Sequence, residues 1–373
     1  MASKWLRWTP AVAVPAVIAA GVLAGSVPAS ARDPLPDKTP AQVLAMIGQH
    51  TTKSLSGTLE QTSEFGLPDV PQIGPSSGAG TGSIAELLAG PHSARVYVDG
   101  PTKVRVQVMD RLAERDAVRQ GNDVWLYNSK DNTATHVTLP EKAAGHKSPD
   151  SRTPGTMATP EELAARMLAK IDSSTDVTVG NDVEVAGRAA YNLTLTPRSQ
   201  GTLVESVAIA VDGEKGLPLS VEVRARGQAE PAFRTAFSSL TLGAPDAGLF
   251  NFTPPPGATI KNLALPATPH AAKDMGKHHA KGKATNATGK SPSLTGSGWE
   301  TVVGFPARAG GANADAPSAD TLLKDPLLRQ AIITVPGGRA ISTSLLNVLL
   351  TDDGRVFAGS VPLERLQAAA AAR

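Results

Sequence analysis

Cysteine is absent from all 373 residues. That excludes disulfides, thiol nucleophiles, cysteine zinc sites and a bacterial lipobox, so the fold has to hold through its core alone. Aromatics are scarce at 4%, and the formal net charge is only +2. No basic stripe interleaves with stacking rings, so the composition shows no footprint for nucleic acid.

Catalytic groupings are missing as well. The one Gly-x-Ser-x-Gly spacing, Gly74 to Gly78, falls in a stretch rich in Pro, Gly and Ser that reads as a loop, so it lacks the strand-to-helix context of a nucleophile elbow. Gly78, Gly80 and Gly82 follow no clear strand and open neither a dinucleotide fingerprint nor a phosphate loop. Glu161-Glu162 and Asp352-Asp353 are adjacent pairs whose side chains diverge, which suits a helix start and a turn rather than acid–base work. His278-His279 sit among lysines with only His270 and Asp274 nearby, which reads as a solvated basic tract. His50, His92, His136 and His146 are scattered. The chain therefore reads as a non-enzyme with no cofactor and no metal.

A long uninterrupted hydrophobic run is also lacking. Ala11 to Val27 is apolar but broken by Pro15; Lys4 and Arg7 precede it, and Ala29-Ser30-Ala31 follows. This is the layout of a secretory signal, residues 1–31, cleaved near Ala31. The expected location is secreted or cell-envelope, outside the cytoplasm.

What the chain does contain is apolar alternation and turns. Hydrophobic residues make up 41%, enough for a sizeable core. Thr39-Pro40 and Thr159-Pro160-Glu161-Glu162 predict helix starts, with helices over 39–53 and 159–171. Ser83 and Glu86 have capping-box spacing, predicting a short helix over 83–90. Val104, Val106 and Val108 alternate with Lys103, Arg105 and Gln107, so that strand has one wet face and one buried face. Val118 to Asn128 reads as strand, Gly121-Asn122-Asp123 turn, strand. Further strands are expected at 54–65, 96–98, 133–139, 177–185, 190–196, 204–211, 219–226 and 233–242. Pro254-Pro255-Pro256 ends the series. Residues 261–298 are low in bulky apolar residues and include Lys273, Lys277, Lys281, Lys283 and Lys290, and read as a basic linker or long excursion. A strand over 299–305, a helix over 322–332, a hairpin of 338–350 with 356–360, and a terminal helix from Pro362 complete the chain.

Several segments resemble LolA-type lipoprotein carriers in their order: Leu55 to Gln61, Val98-Asp99-Gly100-Pro101, Val118 to Asn128, Tyr191 to Arg198, and Leu249-Phe250-Asn251-Phe252 before the prolines. The likeness is greatest to the LolA-like proteins of actinobacteria. It implies an α+β fold: a half-open antiparallel β-barrel of about eleven or more strands with a small α-helical lid. The barrel domain would span 32–260. Residues 299–373 would complete the barrel or form a small subdomain.

The resemblance also implies an apolar cavity for lipid or lipoprotein acyl chains, with peripheral membrane contact. Alternation nominates Val96, Val98, Val104, Val106, Trp125, Tyr127, Leu193, Leu195, Ile209 and Val221 as its lining, with Leu87 and Leu88 on the lid. The same fold type serves envelope-stress regulators of the RseB and MucB kind, which implies a membrane-anchored protein as the alternative partner; lipid carriers of the LppX and LprG kind share it too. One departure stands out. LolA carriers place an arginine before the strand proline as a lid latch, and here Gly100 precedes Pro101.

Overall fold

The computed structural model describes residues 34–66, 91–109, 113–139, 157–263, 292–306 and 331–372. The chain divides into Met1–Pro36 and Asp37–Arg373, and every element below belongs to the second unit. The signal segment, the 83–90 helix and most of the basic stretch lie outside the described residues.

Three α-helices are described. In α1 (Pro40–Gln49), the Thr39 hydroxyl accepts from the Gln42 N–H and the Gln42 side chain accepts from the Thr39 N–H. Thr159 and Glu162 repeat this reciprocal cap in α2 (Pro160–Leu168). Both caps satisfy backbone donors that helix geometry leaves unpaired, and Pro at the first position has no N–H to lose. The third helix, α3, is Leu363–Ala371.

The large sheet has thirteen strands: β1 (Ser54–Ser63), β2 (His92–Asp99), β3 (Lys103–Met109), β4 (Glu114–Gln120), β5 (Asp123–Asn128), β6 (Thr133–Thr138), β7 (Thr175–Val179), β8 (Val183–Val185), β9 (Arg188–Pro197), β10 (Val204–Asp212), β11 (Pro218–Ala225), β12 (Phe233–Leu242) and β13 (Thr259–Leu263). Its order is β13-β6-β5-β4-β3-β2-β1-β12-β11-β10-β9-β7, with β8 beside β9. The architecture is α+β and mostly β. Two features correct the sequence reading. The sheet ends at β13 and β7 and is not closed into a barrel. It is also mixed, because β13 pairs parallel to β6. The prolines after Phe252 end the antiparallel meander, and the chain re-enters at the far edge in the direction of β6.

Local chemistry accounts for the hairpins. Gly121 has φ +64 at the first turn position between β4 and β5, which an L side chain adopts only at a cost. The 177–185 stretch divides into β7 and β8 around Gly180.

A second sheet has six strands: β14 (Ser293–Thr295), β15 (Val302–Phe305), β16 (Ile332–Val335), β17 (Gly338–Ser342), β18 (Asn347–Thr351) and β19 (Val356–Gly359), in the order β14-β15-β19-β18-β17-β16. Lys261–Leu263 and Ser293–Thr295 thus make both described ends of the basic stretch strand. Ile332, expected to end a helix, instead begins β16, and the expected 338–350 arm is two strands separated by a turn at Thr343–Leu346.

Each sheet has its own core. Leu55, Leu59, Ala94, Val96, Val106, Val108, Leu219 and Phe237 are among those buried in the large sheet. Val302, Ala340, Leu349, Phe357, Val361 and Leu366 are buried between α3 and the small one. The α2 helix packs on β11 and β12, and α1 on β7 and β9.

Candidate functional site

Directly opposed residues on paired strands share a face, so the register sorts the side chains. One row runs Leu55–Val98–Val104–Arg119–Val124–Val137 across β1 to β6. The next runs Gly57–Val96–Val106–Ala117–Leu126–Thr135, and a third Leu59–Ala94–Val108–Arg115–Asn128–Thr133. A fourth row, Leu193–Ile209–Val221–Thr235–Gln61–His92, brings β9 to β12 onto the same face. This inner face is apolar over most of the sheet.

Burial along it is graded. Val96, Leu193, Leu195 and Ile209 are 0% exposed, Val221 1% and Val106 7%. These six nominated residues pack as core. Val98 and Val104 are half-buried at the core's margin. Val124 and Leu126, which the sequence reading did not nominate, continue the face half-buried on β5. Leu87 and Leu88 lie outside the described residues.

Trp125 and Tyr127 are on the other face. Their row-mates are Arg105, Val118 and His136 for Trp125, and Gln107, Asp116 and Ala134 for Tyr127. The β5 strand is apolar on both sides, so alternation alone could not choose between Val124/Leu126 and Trp125/Tyr127. The structure assigns the aromatics to a separate cluster. Trp125 stacks on His136 with centroids 4.4 Å apart, and Phe252 lies 5.5 Å from Trp125 and 5.9 Å from Tyr127. Phe250, 1% exposed, ends a 3₁₀ turn at Ala247–Phe250.

Arg105 Nη1 donates to the Leu249 carbonyl at 3.0 Å, while its other nitrogens grip Asp116 at 2.6 and 3.1 Å. Burial pushes the Asp116 carboxyl above its ordinary range, outweighing the Arg105 hydrogen bonds. A cleft of about 240 Å³ opens beside this cluster, lined by Val118, Gln120, Asp123, Trp125, Phe250, Asn251 and Phe252.

Two arginines interrupt these rows, Arg115 and Arg119, and Arg119 is the one in the row of half-buried Val98, Val104 and Val124. Arg119 Nε donates to the Gly121 carbonyl at 3.1 Å, and its buried Nη2 has no hydrogen-bond partner among the described residues. The alternation of Ala117, Arg119 and Gly121 against Val118 and Gln120 carries a signal of it, but only once the register is known.

Among the described residues, no group of three His, Asp or Glu side chains is placed to hold a metal, and no helix is long and apolar enough to cross a membrane.

No family model and no curated protein matches the chain. Solved structures do match it. A chain of the MucA/MucB complex of Pseudomonas aeruginosa is 15% identical, with a TM-score of 0.39, covering 88% of this chain and 96% of that one. A LolA superfamily protein from Nitrosomonas europaea is 11% identical, with a TM-score of 0.22, covering 58% of this chain and 99% of that one. A putative outer membrane lipoprotein-sorting protein domain from Vibrio parahaemolyticus is 10% identical, with a TM-score of 0.23, covering 57% and 95%.

Proposed function

We propose that the chain is a non-enzymatic, extracytoplasmic protein that holds the acyl chain of a lipid or lipoprotein against the inner face of its large sheet. One observation carries the reading. The apolar rows do not stop at the core: they run from buried residues on β1–β3 to half-buried Val98, Val104, Val124 and Leu126. Roughly 0.8 kcal/mol per buried methylene gives a long chain ample drive onto such a surface. In this reading the open sheet serves as a half-barrel, and the secretory signal delivers it to the envelope.

The site belongs at the half-buried margin, since the fully buried nominees already fill the core. Leu126→Asp puts a carboxylate on the proposed surface, whereas the same change at Leu193 would unfold the protein. Native mass spectrometry of the secreted full chain is expected to show a lipid mass excess that Leu126→Asp abolishes with folding retained. Lipid kept by the folded variant would refute the assigned surface.

The second reading is a sensor that binds a membrane-anchored protein. The separate six-stranded sheet favours it, because its edge strands β14 and β16 expose Leu294 (72%) and Ile333 (47%) and could accept a strand from a partner. Loss of that partner on Ile333→Lys, with lipid retained, would assign the two roles to the two sheets.

A further inference from the structure

We infer that Arg119 is the anion-binding end of the proposed acyl surface, so that the ligand is an anionic amphiphile: a hydrocarbon chain ending in a carboxylate or phosphate. The inference rests on the acyl-binding reading and adds a headgroup to it. Arg119 stands between Val104 and Val124 in its row, with Ala117, Val106 and Leu126 in the row beside it. A guanidinium stays charged throughout the physiological range, and an apolar surrounding penalises it unless an opposite charge is supplied. Several other arginines in this fold receive one, while Arg224 and Arg226 are held by carbonyl and side-chain amide oxygens. Arg105 meets Asp116, Arg188 meets Asp212 and Glu214, and Arg365 meets Glu300. Arg119 receives only the Gly121 carbonyl on Nε, which orients the fork, and no carboxylate among the described residues pairs with it.

The buried Nη2 donor is therefore available to an acceptor brought by a ligand. A bidentate guanidinium matches a carboxylate or phosphate in geometry as well as charge. The residue's position within the apolar row makes the arrangement amphipathic: chain against Val98, Val104, Val124 and Leu126, anion at Arg119.

The test is calorimetric titration of the full chain with three probes: dodecyl phosphate below its micellar concentration, dodecanol, and inorganic phosphate. Dodecyl phosphate is expected to bind about ten- to a hundredfold tighter than dodecanol, the range that a charge-assisted hydrogen bond spans. Arg119→Met should erase that preference while leaving dodecanol binding intact. Arg119→Lys should keep part of it, since lysine supplies charge without the fork. The melting temperature of ligand-free Arg119→Met should equal or exceed that of the unmodified chain, because an uncompensated buried charge is removed.

Equal binding of dodecyl phosphate and dodecanol would overturn the anion role and leave acyl binding standing. Inorganic phosphate binding as tightly as dodecyl phosphate would make Arg119 an anion site unconnected to acyl chains, which also overturns the inference. Binding of neither amphiphile would remove the acyl reading itself. Should Arg119→Met fail to fold, the comparison of the three probes on the unmodified chain still decides the matter.

Discussion

At the scale of single residues, buried charge decides more than apolar burial does. Asp212 is 1% exposed and holds the β10–β11 turn together. It accepts from Arg188, from the Glu214 N–H at 3.0 Å and from the Lys215 N–H at 2.7 Å. Burial alone would push its carboxyl up, but these partners outweigh burial and hold it below the ordinary value of 3.8. A depressed carboxylate stabilises the fold above its unfolded pKa, and that contribution is lost as pH falls below about 3.8 through the folded value. Asp212→Asn is expected to cost about 3 kcal/mol at neutral pH, the effect of breaking a buried pair from one side. The difference from the unmodified chain should narrow on acidification, and urea unfolding between neutral and strongly acid pH measures both. Arg119 is the counterpart, a charge with no carboxylate partner among the described residues.

At the scale of elements, short segments with strong caps and covers hold the faces in place. The Ala247–Phe252 segment closes the outer face of β3–β6, with Phe250 inserted and Arg105 bonded to Leu249. Phe250→Ala is expected to lose about 3 to 5 kcal/mol, the usual cost of emptying a buried aromatic site. A loss below about 1 kcal/mol in equilibrium unfolding would show that the segment is not part of the cooperative fold.

Much at this scale was legible. Thr39-Pro40 and Thr159-Pro160 announced both helices, and the valines of β3 announced a strand with one buried face. The β5 strand was not legible in the same way, because Val124 and Leu126 compete with Trp125 and Tyr127 for the inside. Register, set by pairing with β4, resolves that competition, and local alternation does not.

At the scale of the whole molecule, two cores are joined by polar contacts. Trp299 Nε1 donates to Thr175 Oγ1 at 2.8 Å, and Glu300 accepts from Ser199 and pairs with Arg365 at 2.6 Å. Thr202 and Leu203 both donate to the Ser360 carbonyl, at 2.7 and 2.8 Å. Such a junction should separate before either core melts. Glu300→Ala is expected to resolve calorimetric unfolding into two transitions, the six-stranded sheet melting first. One coincident transition would mean that the sheets unfold as a unit.

The sequence by itself determined the β-rich α+β class, the capped helix starts and most hairpins. Those properties are written in short-range chemistry: a capping threonine before proline, a glycine where φ is positive, and valines two apart. Only the tertiary structure decided the rest. It put β13 parallel beside β6, left the large sheet open, gave the C-terminal strands their own sheet, turned Trp125 and Tyr127 outward and set Arg119 among valines. Each depends on pairing between strands distant in the chain, and a residue's own neighbours carry no signal of which strand will lie alongside.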